Sequence, residues 1–328
     1  MSTKEFSGSA RKIAGIVGTL LEMPLFLVAT RMQGGVVLTY HRVGPDPDPF
    51  YPPIHPVHFR SHLELVQNHF SMIPLDELVT RLQSGRSLRG CCANTFDDGF
   101  SDFESYAYPI LKELNVPATH FVTSQGLMEG RPTWNYRLNR LLHYMYLSEE
   151  LDHSKRDADT PTWTEILRVT DHVAALSVDE RKEVLGKLEQ HCTLPPDPPM
   201  LRPSDLQRMD RELVQWGSHT ATHASLPFST DEGIRYELAQ SRETIEAALG
   251  ERPRFLAYPN GHFDSRTMKT AAECGYLASF TVGQRRVVPG TPLHGIPRFD
   301  VGGLPTNMVG LELAGLTPGI RSLRARMR

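Results

Sequence analysis

Short β-prone apolar runs alternate with stretches of helical periodicity along most of this chain, and that alternation limits its fold more than any other feature. Val36–Tyr40 (VVLTY) follows Gly34-Gly35 and reads as a buried strand. A proline-rich stretch over residues 45–56 must be a loop. Phe59, Leu63, Val66 and Phe70 then recur at helical spacing, and Asp76 is placed to N-cap a second helix carrying Leu78, Val79 and Leu82 on one face. Residues 91–96 form the next strand, stopping at Asp97-Asp98-Gly99; Tyr106, Ile110 and Leu114 mark a helix and residues 118–122 another strand. The alternation resumes with strands over residues 213–216, 254–258, 277–282 and 295–299. Between them run a helix with Ile234, Leu238, Ile245 and Leu249, capped near Thr230, and one ending at Cys274 with Gly275 as its C′ residue. Such a pattern predicts an α/β domain with a largely parallel sheet.

From about Arg131 to Pro203 strand signals vanish. Helical patches at 138–146, 163–175 and 179–191 are separated by polar and proline-rich segments such as Leu194-Pro-Pro-Asp-Pro-Pro199, which reads as a helical insertion. With 40% hydrophobic and 22% charged residues, the 328-residue chain can build a real core and is not a disordered one. Its 35 basic and 38 acidic residues leave a formal charge of −3, so nucleic acid is not an expected partner. The four cysteines, Cys91, Cys92, Cys192 and Cys274, lack the CxxC spacing of a zinc ribbon and are too few for a disulfide scaffold.

Three parts are expected: an N-terminal helix within 1–35, the main domain over 36–310 with its insertion at 131–203, and a basic tail over 311–328. Residues 14–30 are the most apolar stretch, but Glu22 and Pro24 interrupt it and it falls short of the roughly 20 residues of a spanning helix. A helix packed on the domain or lying on a membrane surface fits it better. The tail carries Arg321, Arg324, Arg326 and Arg328, a weak electrostatic anchor beside anionic lipid.

In α/β folds, sites lie at the C-terminal ends of strands. Three polar clusters fall there. Asp97 and Asp98 in Thr95-Phe96-Asp97-Asp98-Gly99 would repel unless a cation or proton intervened, and adjacent strand-end residues point to opposite sides, so the two can take different jobs. An Asp-Gly turn with one capping carboxylate is the plainer reading of that pair alone. His219 and His223 in Gly217-Ser-His-Thr-Ala-Thr-His223 stand four apart, the spacing of two imidazole ligands on one helix face. Two histidines and one carboxylate from the Asp pair make a metal site with open positions. His41, in Thr39-Tyr40-His41-Arg42, ends the first strand and gains weight by sharing a sheet face with the other two clusters.

TFDDG followed downstream by HTxxH resembles the polysaccharide deacetylases, carbohydrate esterase family 4, over roughly residues 36–299. That resemblance implies a distorted (β/α) barrel of about seven parallel strands that hydrolyses N-acetyl groups on amino sugars with a divalent metal. By the same resemblance Asp97 is the general base, and Asp98, His219 and His223 hold the metal. The family's third motif reads Arg-Pro-Pro-Tyr-Gly, whereas this chain has Ala257-Tyr258-Pro259-Asn260-Gly261 and lacks that arginine. Arg298 is the expected substitute for the contact that orients the base. A subgroup with an early Tyr-His motif is more similar, which puts the general acid on His41, with His294 in reserve. Alignment with the third motif gives the oxyanion to the backbone amide of Asn260, and Tyr258 and Trp134 are expected on the substrate wall.

Hydrolysis of an amide needs an activated water, a stabilised oxyanion and a protonated leaving nitrogen. Zinc is the first choice of metal; nickel, cobalt, manganese and iron also accept two imidazoles and a carboxylate. The competing readings are hydrolysis of a formyl or cyclic-amide C–N bond, and a non-catalytic glycan-binding module. The second is disfavoured because Asp97, Asp98, His219 and His223 are all present. No signal-peptide cleavage site is evident, so the enzyme is expected in the cytoplasm, peripheral to the inner membrane face, acting on a lipid- or nucleotide-linked glycan precursor. Nothing in the sequence fixes the oligomeric state.

Overall fold

The computed structural model describes residues 32–48, 51–147, 163–191 and 194–315. The apolar stretch at 14–30, the arginines of the tail and Cys192 lie outside the described residues. Seven parallel strands close into a barrel: β1 (Val36–Tyr40), β3 (Cys91–Phe96), β4 (Ala118–Val122), β5 (Val214–Ser218), β6 (Phe255–Ala257), β7 (Ala278–Val282) and β8 (Ile296–Asp300). β1 closes the ring by pairing with β3 on one side, Val37 opposite Ala93, and with β8 on the other, Leu38 opposite Phe299. An eighth strand, β2 (Ser71–Met72), pairs with β3 outside the ring. It was not expected, because two residues carry no periodicity.

Side-chain alternation divides each strand between two layers. Val37, Ala93, Phe121, Ala257, Phe280 and Ile296 form one cluster, joined by Leu75, Leu78 and Val79 of helix α2 (Leu75–Gln83). That this layer faces the barrel axis is shown by Arg298 of β8, whose guanidinium lies 5.4 Å from the Phe121 ring across the ring of strands. The outward layer, including Leu38, Phe96 and Phe299, packs on Phe59 and Leu63 of helix α1 (Pro56–Gln67) and on Leu111 of helix α3 (Tyr108–Leu114). Asp76 sits inside α2, not at its N-cap; Pro74 holds that position, since its fixed φ already suits the entry. Tyr106 belongs to a π-helical turn, Phe103–Ala107, that leads into α3.

The inward layer is crowded where β4 meets β5. A Cβ on Gly217 would stand 2.3 Å from a ring carbon of Phe121, its register partner. Gly217→Ala is therefore expected to destabilise the barrel by about 1–3 kcal/mol, checked by urea unfolding, since backbone and a buried ring cannot both yield.

The described residues between β4 and β5 include five helices, α4 (Ser124–Glu129), α5 (Trp134–Leu147), α6 (Trp163–Ala174), α7 (Val178–Glu189) and α8 (Pro203–Arg208), with an irregular proline-rich stretch ahead of α8. Ser177 and Glu180 form a capping box at the start of α7. Beyond β5, helix α9 (Asp231–Leu249) is capped by the Thr230 side chain and ends on Gly250 in the left-handed conformation.

Candidate active site

Asp97 and Asp98 follow β3 directly, and the backbone aims them apart. Asp98 has φ of 76°, a left-handed conformation that a non-glycine residue adopts only when its surroundings impose it. Asp97 turns to the barrel axis, where Arg298 grips it with both nitrogens: Nη1 donates to Oδ1 at 2.7 Å and Nη2 to Oδ2 at 2.6 Å. Arg298 is fully buried, and Nη1 also donates to Thr95 Oγ1 at 3.2 Å. A bidentate fork fixes the carboxylate plane as well as its charge. Burial alone would raise the pKa of Asp97, but Arg298 and then His219 outweigh it and hold the carboxyl below its ordinary value. Asp97 is thus an anion at neutral pH, and its bidentate partner is Arg298, the residue expected in place of the third-motif arginine.

Asp98 faces the two histidines. Its Oδ1 lies 3.6 Å from His219 Nε2 and 3.4 Å from His223 Nε2, and one ligand atom from each of the three residues falls within 4.8 Å of the others. All three side chains are buried. The histidines do not share a helix face. The chain after β5 is irregular, and left-handed turns at Thr220 (φ 66°) and His223 (φ 60°) fold it back so that the rings stand 4.8 Å apart. Spacing of four survives as a contact; the helical reason for it does not.

The donor set fits a divalent cation. His219 Nδ1 lies 2.8 Å from the carbonyl of Ala257, an atom that can only accept, so Nδ1 carries the proton and Nε2 presents its lone pair toward Asp98. Burial pushes the His219 pKa down to about 4, so the ring is neutral near pH 7, as a ligand must be. Two imidazole nitrogens and one carboxylate, with no thiol, suit zinc and its first-row neighbours.

The surrounding residues hold these groups in place. Tyr51 donates its hydroxyl to Asp98 Oδ2 at 3.2 Å, and its ring meets that of half-buried His41 edge-on at 5.5 Å. The loop bearing Tyr51 is tied down by Arg42, which bonds Asp48 at 2.5 Å and Asp102 at 2.8 Å. His120 of β4 reaches the Asp97 carbonyl at 3.3 Å. Neither Tyr51 nor His120 was anticipated: one sits in a proline-rich loop and the other inside an apolar run, and neither belongs to a motif.

Two aromatic residues expected on the substrate wall are elsewhere. Trp134 is 7% exposed and donates its indole N–H to the His223 carbonyl at 2.8 Å, so it braces the loop that carries the two histidines. Tyr258 is fully buried, stacks on Phe263 and donates to the His294 carbonyl. His294 itself is engaged by Ser279 at 3.0 Å. Asn260 lies on the loop after β6 with φ of 57° and is exposed, its side-chain amide reaching Ser225 Oγ at 3.3 Å. The insertion thus reaches the ligand loop through Trp134.

A barrel of seven parallel strands thus carries paired aspartates after one strand and two histidines after another, and Asp98, His219 and His223 could hold a metal ion. Residues 85–279 match the polysaccharide deacetylase family, and the chain belongs to it. That family acts on the C–N bonds of N-acetyl groups. YxkH of Bacillus subtilis (strain 168), whose name places it among the polysaccharide deacetylases, is 19% identical over 225 residues, 68% of this chain and 56% of that protein. The chain therefore spans little more than half the length of that relative. Among solved structures, the Streptococcus pyogenes deacetylase PplD in complex with acetate superposes with a TM-score of 0.58 at 16% identity, covering 86% of this chain and 97% of that one. IcaB from Ammonifex degensii gives 0.57 at 19% identity, covering 86% and 98%. At these identities the likeness is one of fold.

Proposed function

We propose that the protein is a metal-dependent deacetylase removing N-acetyl groups from an amino-sugar glycan or glycan precursor. One observation carries the reading: two adjacent carboxylates are separated in role, Asp97 locked to Arg298 and Asp98 turned to His219 and His223. A divalent cation held by Asp98, His219 and His223, zinc by preference, would polarise the amide carbonyl and make a water more acidic. Asp97, ionised and oriented by Arg298, accepts the proton of the attacking water. The backbone N–H of Asn260 faces the oxyanion as the carbonyl carbon becomes tetrahedral. His41 gives a proton to the departing nitrogen, because an amide anion is not a viable leaving group. The C–N bond breaks, and acetate and a free amine leave.

Support for His41 as the acid comes from its place directly after β1, where its ring meets that of Tyr51, the residue that donates to Asp98 Oδ2. This assignment follows the Tyr-His subgroup of the family. Peripheral docking on the inner membrane face is a separate part of the proposal and rests on sequence alone, on residues 14–30 and the four arginines of the tail. Among the described residues no helix is long and apolar enough to cross a membrane. A high-salt wash that releases the protein from membranes supports docking; a C-terminal reporter active only outside the inner membrane defeats the placement.

Acetate release from free, nucleotide-linked and lipid-linked N-acetylhexosamines, with and without chelator, tests the activity. Chelation is expected to lower turnover by at least about 100-fold, and zinc to restore it. Full activity in chelator, or release of formate or ring-opened product in place of acetate, would assign a different reaction.

A further inference from the structure

Behind the loop that carries His219 and His223, α4, α5 and α7 together with Thr222 line a cavity of about 170 Å³ that also presents Arg131, Arg137, Arg181 and Lys182, with Gln125 and Glu129 on its wall. Arg181 is 4% exposed and pairs with no carboxylate among the described residues. Its Nη2 reaches only the Leu176 carbonyl, at 3.4 Å, and its Nε has no acceptor at all. The Nε of Arg137 is likewise buried without an acceptor. Glu189 serves Arg131 and Arg137 together, and both oxygens of Glu129 take the Gln125 amide. Glu237, the acid whose field reaches Arg181, is engaged by the N–H and hydroxyl of Thr222. Four cations thus face three acids, each already engaged, and two guanidinium donors stay unused.

A buried, uncompensated charge costs several kcal/mol, so a fold keeps one only where something else neutralises it. Arg cannot escape by losing its proton, and its planar fork matches the oxygens of a tetrahedral anion. We infer that this cavity is a binding site for a phosphate group, with Arg181 as its floor and Arg131, Arg137 and Lys182 as its walls. The volume admits the phosphate with part of the group that carries it. The site also touches the catalytic centre. Arg181 stacks over the Trp134 ring at 4.8 Å, and that indole holds the carbonyl of His223.

The experiment titrates the full, metal-loaded chain with inorganic phosphate and, separately, with glucose 1-phosphate, by calorimetry and thermal melting, against potassium chloride at equal ionic strength. Saturable binding and a rise in Tm beyond the chloride control are expected. Arg181→Gln should weaken phosphate binding by about tenfold or more, while melting no lower than wild type in phosphate-free buffer, because the unpaired cation is gone. If Arg181→Gln fails to fold, the exposed-wall double variant Arg131→Gln/Lys182→Gln should fold and show the weakening. Tighter binding of the sugar phosphate identifies a phosphosugar as the source; equal binding identifies the free ion. A response identical in wild type and variants would place the phosphate elsewhere, including on the metal, and overturn the site, as would no response beyond chloride.

Discussion

Asp97→Asn is expected to lower kcat by about 10²–10⁴-fold, the usual contribution of a positioned base, while metal content stays near wild type. His219→Ala should lose both turnover and metal. The difference follows from geometry: Asp97 is committed to Arg298 and lies 4.0 Å from His219 Nε2, whereas Asp98 stands between the two imidazoles. Because the substituted amide would leave Arg298 buried beside a neutral partner, the measurement must pair acetate release with a thermal melt and metal analysis by mass spectrometry. Equal metal loss in the two variants would show that Asp97 is a ligand and that the roles are reversed.

Removing Arg298 should cost more in stability. Arg298→Ala strands the Asp97 carboxylate with its largest counter-charge gone, and breaking a buried pair in this way typically costs about 3–5 kcal/mol. The sign of the pH dependence changes as well. In the wild type the depressed Asp97 pKa adds stability above the unfolded carboxyl value, near 3.9, and that contribution is lost as the pH falls through the folded value. Without Arg298, burial dominates and the Asp97 pKa rises, so ionising it opposes folding. The stability deficit should therefore grow as the pH rises, and the acidic limb of activity should move upward. Arg298→Lys keeps the charge but not the fork, and should recover stability more fully than kcat. Urea melts and pH–rate profiles of both variants check this; an unshifted acidic limb in Arg298→Ala would detach Arg298 from the base.

Much of this site was legible before the structure, for identifiable reasons. The strands at 36–40, 91–96 and 118–122 are buried on both faces, so their sequences read as near-continuous apolar runs that stop at the polar cluster. The aspartate pair and the two histidines were visible as motifs because each stands at such a stop. The path from His219 to His223 was not legible, since a left-handed Thr220 contradicts what a β-branched residue prefers. Trp134 and Tyr258 misled because an aromatic residue beside a motif looks the same whether it lines a pocket or supports it. Tyr51 and His120 act through single contacts made by residues distant in sequence from Asp98 and Asp97, 47 and 23 positions away. Pattern reading has no handle on those.

The manner of ring closure bears on how the chain matures. Asp97 and Arg298 are 201 residues apart, and the metal-facing trio is complete by residue 223. During synthesis, therefore, Asp98, His219 and His223 emerge well before Arg298, the partner of Asp97. Only when β8 docks on β1 is the charge on Asp97 matched and the axis sealed. A closing step of such long sequence separation is slow, because chain entropy must be lost before the contact forms. The last barrel strand in chain order thus both seals the ring and fixes the charge partner of Asp97.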